Sequence, residues 1–72
     1  MFNLSIAQKA FVKFTKDMNS LQLESLVLGN DKLFNFAFDV WFKIDDVAYD
    51  NPMNVSQSDF NYYHKLGGAL QI

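Results

Sequence analysis

The chain has no cysteine and no arginine, and its 72 residues include one proline, three glycines and one histidine. Without cysteine, neither a disulfide nor a thiolate metal site can hold the fold together. Without arginine, the chain lacks the side chain best suited to bidentate contacts with phosphate and guanine, which argues against sequence-specific DNA recognition. The sparse glycines form no phosphate-cradling loop and no dinucleotide fingerprint, so no cofactor is expected. No stretch approaches the roughly 20 apolar residues of a membrane span. The first residues lack a basic segment followed by an apolar core, so neither export nor a membrane partner is expected. The expected location is cytoplasmic, where the glycosylation patterns at Asn3 and Asn54 carry no meaning.

Charge of either sign is also scarce. Six lysines face eight acidic residues for a net charge of −2, too slight for a mimic of the nucleic-acid backbone. The distribution is uneven. Residues 1–20 hold Lys9, Lys13 and Lys16 against Asp17, a local excess of two positive charges. Residues 33–72 hold Asp39, Asp45, Asp46, Asp50 and Asp59 against Lys43 and Lys65, a local excess of three negative ones.

What the chain does have is apolar and aromatic mass. Half of it is hydrophobic and 17% aromatic, with eight Phe, three Tyr and one Trp. A chain this short buries only about 60% of its unfolded surface. So rich a composition argues against disorder, and leaves either an unusually aromatic core or surface closed by association. Residues 1–72 are expected to form a single small globular domain.

The central run Leu33-Phe-Asn-Phe-Ala-Phe-Asp-Val-Trp-Phe-Lys-Ile-Asp45 has an apolar residue at every even position from Phe34 to Ile44. Side chains alternate along a strand, so Phe34, Phe36, Phe38, Val40, Phe42 and Ile44 would form one ridge. Residues 21–28 also read better as a strand, with Leu21, Leu23 and Val27 on one face. Gly29-Asn30-Asp31-Lys32 is a turn signal between them. Pairing Leu28 with Leu33 sets Val27 opposite Phe34, Leu23 opposite Phe38 and Leu21 opposite Val40, a continuous apolar face. The rival reading winds 32–50 as a helix, because Lys32, Asn35, Asp39, Lys43, Asp46 and Asp50 recur at helical spacing and Asn51-Pro52 would stop it. Phe, Val, Trp and Ile are strong strand formers, which favours the hairpin.

Two helices flank this centre. Residues 5–18 form an amphipathic helix capped by Ser5, with Ala7, Ala10, Phe11, Phe14 and Met18 within an arc of about 100° and the lysines opposite. Ser56-Gln57-Ser58-Asp59 resembles a capping box opening a second helix, with Phe60, Tyr63 and Leu66 inward and Gly67-Gly68 ending it. Residues 47–49 could form a short return strand, and 69–72 an edge strand. The predicted fold is a small α+β domain, helix–strand–strand–(short strand)–helix with an antiparallel hairpin. The alternative is an all-α four-helix body.

Candidate chemistry is thin. His64 with Ser56, Ser58 and Asp59 sketches a nucleophile, base and orienter, but all lie within two helical turns with nothing to form an oxyanion hole. Asp45, Asp46 and Asp50 lack the alternate spacing and central glycine of a calcium loop, so no metal is expected. Lys9, Lys13 and Lys16, with Phe60, Tyr62 and Tyr63, could hold a single strand. Spacing turns Phe60 and Tyr63 inward, however, and leaves Tyr62 alone, so nucleic acid is an unfavoured partner. The hairpin's second face is more informative: Leu26, Leu28, Leu33, Ala37 and Trp41 form an apolar strip among polar neighbours, which either lies under the C-terminal helix, with the N-terminal helix over the Phe ridge, or serves as an interface core. The expected function is therefore a non-enzymatic protein-binding module that occupies a partner's surface, of the kind phage or mobile elements use as an inhibitor or adaptor. The alternative is a subunit of a homo-oligomer or a virion-type assembly, and a nucleic-acid binder is a distant third.

Overall fold

The computed structural model describes residues 4–72; Asn3, the head of one glycosylation pattern, lies outside them. Four helices follow one another: α1 (Ile6–Thr15), α2 (Ser20–Leu28), α3 (Asp31–Asp50) and α4 (Gln57–Ala69), with a 3₁₀ turn at Pro52–Asn54 before α4. No strand occurs among the described residues. The α+β expectation is overturned in favour of the all-α body, and with it go the hairpin, the return strand at 47–49 and the edge strand at 69–72.

The residues that suggested a hairpin build helix boundaries instead. Asn19 caps α2, accepting from the Gln22 backbone N–H at 2.8 Å while the Gln22 side chain accepts from the Asn19 N–H at 3.1 Å. This reciprocal pair satisfies two of the orphan donors at the helix start. Gly29 closes α2, and Asn30 opens α3 by accepting from the Leu33 N–H at 3.2 Å. A segment that reads as a turn between strands is thus a stop and a start between helices. At about 1.5 Å per residue, the twenty residues of α3 span roughly 30 Å, nearly the 33 Å long axis of the molecule.

The even-numbered ridge of the central run is dispersed. Val40 and Ile44 are buried, Phe34 and Phe36 half-buried, and Phe38 and Phe42 exposed. The polar series Lys32, Asn35, Asp39, Lys43, Asp46 and Asp50 is exposed throughout, so helical period decides the segment and Ala37, Val40 and Ile44 form its buried side. They meet Leu23 and Val27 of α2, and Tyr62, Leu66, Ala69 and Leu70 around α4. Full burial of a side chain such as Leu23, Ile44 or Leu66 contributes about 2 kcal/mol.

Helix α1 begins with the expected Ser5 cap, a reciprocal pair with Gln8 at 3.1 and 3.0 Å. Its orientation departs from expectation. Gln8, Phe11 and Thr15 face the body, while Ala7, Ala10 and Phe14 of the apolar arc are exposed. Specific polar contacts explain the rotation. Gln8 Oε1 accepts from Lys43 Nζ at 2.9 Å, the Thr15 hydroxyl lies 2.7 Å from that of Tyr62, and Lys16 pairs with Asp59 at 2.8 Å. The Lys65 ammonium then closes the helix, donating to the carbonyls of Lys16 at 2.9 Å and Met18 at 2.7 Å, with Thr15 at 3.4 Å. A cation there also meets the negative end of the helix dipole.

Gly67 and Gly68 do not end α4. They lie inside it, and Gln71 at φ 60° takes the left-handed position beyond the last turn. Ile72 N–H donates to Gly67 O at 2.9 Å and Gln71 N–H to Gly68 O at 3.1 Å, the paired bonds of a Schellman closure. Gly67 is needed for another reason: a Cβ there would sit 2.7 Å from Trp41 Nε1. The indole packs directly on the helix backbone.

Candidate functional site

The expected contact residues are distributed by the helical geometry rather than gathered on one sheet face. Ala37 is fully buried, and a side chain with no surface has none to offer a partner. Leu33 is half-buried against the core, Leu26 is half-buried on α2, and Leu28 is exposed at the α2 terminus. Trp41 is half-buried and committed to the fold along much of its ring. It stacks on Tyr63 with centroids 5.1 Å apart and planes 13° from parallel, and its buried Nε1 has no hydrogen-bond partner. Stacking of this kind contributes about 1 kcal/mol beyond area burial, so the ring supports the fold whatever else it does.

Trp41 is also the centre of a longer aromatic band. Its ring lies 6.3 Å from Phe38, and Phe38 lies 6.0 Å from Phe42. On the α4 side Tyr63 meets Phe60 edge-on at 6.5 Å, and His64 stacks on Phe60 at 6.0 Å. The band runs across α3 and α4 with much of its area open. Phe38 is 36% exposed, Phe42 53% and Tyr49, further along α3, 86%. At 100° per residue these three fall within an arc of about 40°, nearly opposite Ala37, Val40 and Ile44. Alternation of the Phe residues hid this stripe, although the spacing i, i+4 and i+11 from Phe38 was available to find it. A shallow hollow beside it is lined by Gln8, Phe38, Asp39, Phe42 and Lys43.

The other candidate groupings are not assembled. His64 is exposed and aromatic-stacked. Asp59 is engaged by Lys16, and Ser56 serves as the α4 cap by accepting from the Asp59 N–H at 3.1 Å. Partial burial favours the neutral form of Asp59, but the hydrogen bonds from Lys16 and Ser56 and the lysine's charge outweigh it and hold the carboxyl below its usual range. Asp45, Asp46 and Asp50 lie on a helix, and Asp45 accepts from the Tyr63 hydroxyl. No group of three His, Cys, Asp or Glu side chains converges on a metal-binding point among the described residues.

The aromatics of α4 are the reverse of the expected arrangement. Tyr62 is inside, while Phe60 and Tyr63 are half-exposed. The Tyr62 hydroxyl is pushed up to about 12 by burial, with a smaller opposing effect from Thr15, whose hydroxyl could turn to a phenolate. Tyr63 also rises to about 12, first through desolvation and then because Asp45 accepts its proton and repels the phenolate. Neither tyrosine is a base near neutral pH. Among the described residues, no helix is long and apolar enough to cross a membrane. No protein-family model matches the chain, and no curated protein or solved structure is significantly similar to it.

Proposed function

We propose that this protein is a non-enzymatic protein-binding module, acting by occupying a surface of another polypeptide through the outward aromatic face of α3. One observation carries this reading: Phe38, Phe42 and Tyr49 share the side of α3 turned away from the core. Scattered apolar side chains are ordinary on a protein surface, but an aligned aromatic stripe joined to a stacked band is not. Large aromatic side chains are the usual anchors of interfaces, because they bury much area at little conformational cost. Trp41 adjoins this surface through Phe38, 6.3 Å away, and belongs to the fold through its stacking on Tyr63.

The test uses the whole chain as bait in an extract of its source cell, with the variant F42S/Y49S as the control. Both positions are more than half exposed, and surface changes of this type usually alter stability by less than about 0.5 kcal/mol. A partner retained at a fixed stoichiometry by the natural protein and lost by the folded variant is the expected result. Equal retention by both would overturn the proposal.

A further inference from the structure

Helix α1 presents to solvent the side that an isolated amphipathic helix would bury. Ile6, Ala7, Ala10 and Phe14 are all exposed and share an arc of about 100°. Ile6 is 89% exposed and Phe14 68%. Lys9 and Lys13 border that arc, and α1 contains no acidic residue. The stripe on α3 has the complementary form, with Phe38, Phe42 and Tyr49 bordered by the exposed Asp39 and Asp46. Charge decides which of these faces can meet. Two α3 faces would bring together Asp31, Asp39, Asp45, Asp46 and Asp50 of each copy with only Lys32 and Lys43 of each to offset them, so that two net negative surfaces would meet. Two α1 faces would oppose lysines alone. Of the three pairings, only α1 against α3 brings apolar faces together under opposite net charge, and like-charge pairing is strongly penalised at interfaces. Within one molecule α1 turns Gln8, Phe11 and Thr15 toward the body, so its apolar arc is not spent there.

We infer that the α3 stripe receives helix α1 of a second copy of this chain, the exchange running in both directions to close a two-fold dimer. The inference rests on the reading of the α3 stripe as a protein-binding surface, and names its occupant. It also accounts for the rotation of α1. The polar Gln8 and Thr15 bond within the molecule, which frees the apolar side for the neighbour. An interface of this kind is isologous, since each copy gives one α1 and one α3.

Sedimentation equilibrium of the purified whole chain, from micromolar to near-millimolar concentration in low salt, tests it. The natural protein should approach a two-chain mass. The charge reversals K9E/K13E and D39K/D46K should each weaken association by roughly tenfold or more while keeping the helical circular dichroism. Mixed in equal amounts they should dimerise again, because each new repulsion in the separate variants becomes an attraction between them. Should K9E/K13E lose helix, the neutral K9Q/K13Q serves in its place and should weaken association in the same direction. A natural protein that stays monomeric, a charge variant that associates as tightly as the natural protein, or a mixture that fails to recover would overturn the inference. Retention of a foreign partner lost in F42S/Y49S, with the natural protein monomeric, leaves the α3 surface standing and removes α1 as its occupant. Self-association unchanged in F42S/Y49S removes both.

Discussion

Replacing Thr15 by Val should cost more stability than replacing Tyr62 by Phe, although both remove the same hydrogen bond. The Thr15 hydroxyl is fully buried and lies 2.7 Å from two oxygens, the Phe11 carbonyl and the Tyr62 hydroxyl. A threonine hydroxyl has one hydrogen, and a carbonyl can only accept. The Thr15 hydrogen therefore goes to Phe11, and Tyr62 donates to Thr15. In Tyr62→Phe the threonine keeps its bond to Phe11, and the loss is an ordinary hydrogen bond of about 1 kcal/mol. In Thr15→Val the Tyr62 hydroxyl, on a side chain only 3% exposed, is a buried donor with no acceptor, at a cost of about 1–3 kcal/mol. In a domain of this size about 2 kcal/mol lowers the thermal midpoint by roughly 10 °C. The double variant has neither group stranded, so its loss should fall below the sum of the two single losses by about 1 kcal/mol. Urea titration followed by far-ultraviolet circular dichroism supplies all four stabilities. Equal single losses that simply add would refute the assigned direction of donation.

Three further outcomes follow from the geometry. Gly67→Ala places a methyl 2.7 Å from Trp41 Nε1 and should cost about 1–3 kcal/mol with a shift in tryptophan emission. Gly68→Ala meets nothing within 4 Å and should gain up to about 1 kcal/mol, and an unchanged emission spectrum with lower stability would contradict this. Gln71→Gly should also stabilise, because it removes a side chain from a left-handed backbone position at φ 60°. The pH dependence has two limbs. Tyr62 and Tyr63 have folded values raised to about 12 from an ordinary 10, so the stability they confer is complete below pH 10 and is lost as pH rises through about 12. For the nearly inaccessible Tyr62 alone this amounts to about 2–3 kcal/mol. Asp59 has the opposite sign: its contribution is present above its ordinary value of 3.8 and fades as pH falls through its lower folded one. Lys16→Gln should flatten that acid limb in pH-dependent urea titrations.

The flanks of the fold were legible in the sequence and its centre was not. Ser5 and Ser56 cap the two helices they were expected to cap, since side-chain acceptance from the third backbone N–H needs only local residues. The polar series from Lys32 to Asp50 correctly describes α3. It competes with the alternating Phe residues, whose period of two suits a strand only if all of them need burial. They do not, and with Ala37, Val40 and Ile44 filling the contact with α2 and α4, Phe38 and Phe42 are free to face outward. Asn19 and Gln22 carry the capping pattern of α2, but Leu21, Leu23 and Val27 share a face only as alternating residues, which makes the strand the better reading of the sequence. The glycines at 67 and 68 imitate a terminator, and nothing local indicates that a tryptophan 26 positions earlier requires the missing Cβ of the first. The candidate surface shared this fate. Strand alternation groups Trp41 with Leu26, Leu28, Leu33 and Ala37, whereas Phe42 and Tyr49 come into view only once the segment is wound.

The fastenings of α1 are placed unevenly. Thr15, Lys16 and the carbonyls gripped by Lys65 all lie at its carboxyl end, and Phe11 meets Phe36 edge-on at mid-helix, whereas the amino end is held by the Gln8–Lys43 bond and the packing of Leu4 at the edge of the core. Such a rod peels from its loosely held tip while the clasped end stays shut. In the unassociated chain, backbone amides near Ile6 then trade their hydrogens with water well before those beside Thr15, and a protease seeking lysine reaches Lys9 long before the interior of the bundle opens; a second copy seated on α1 would slow both.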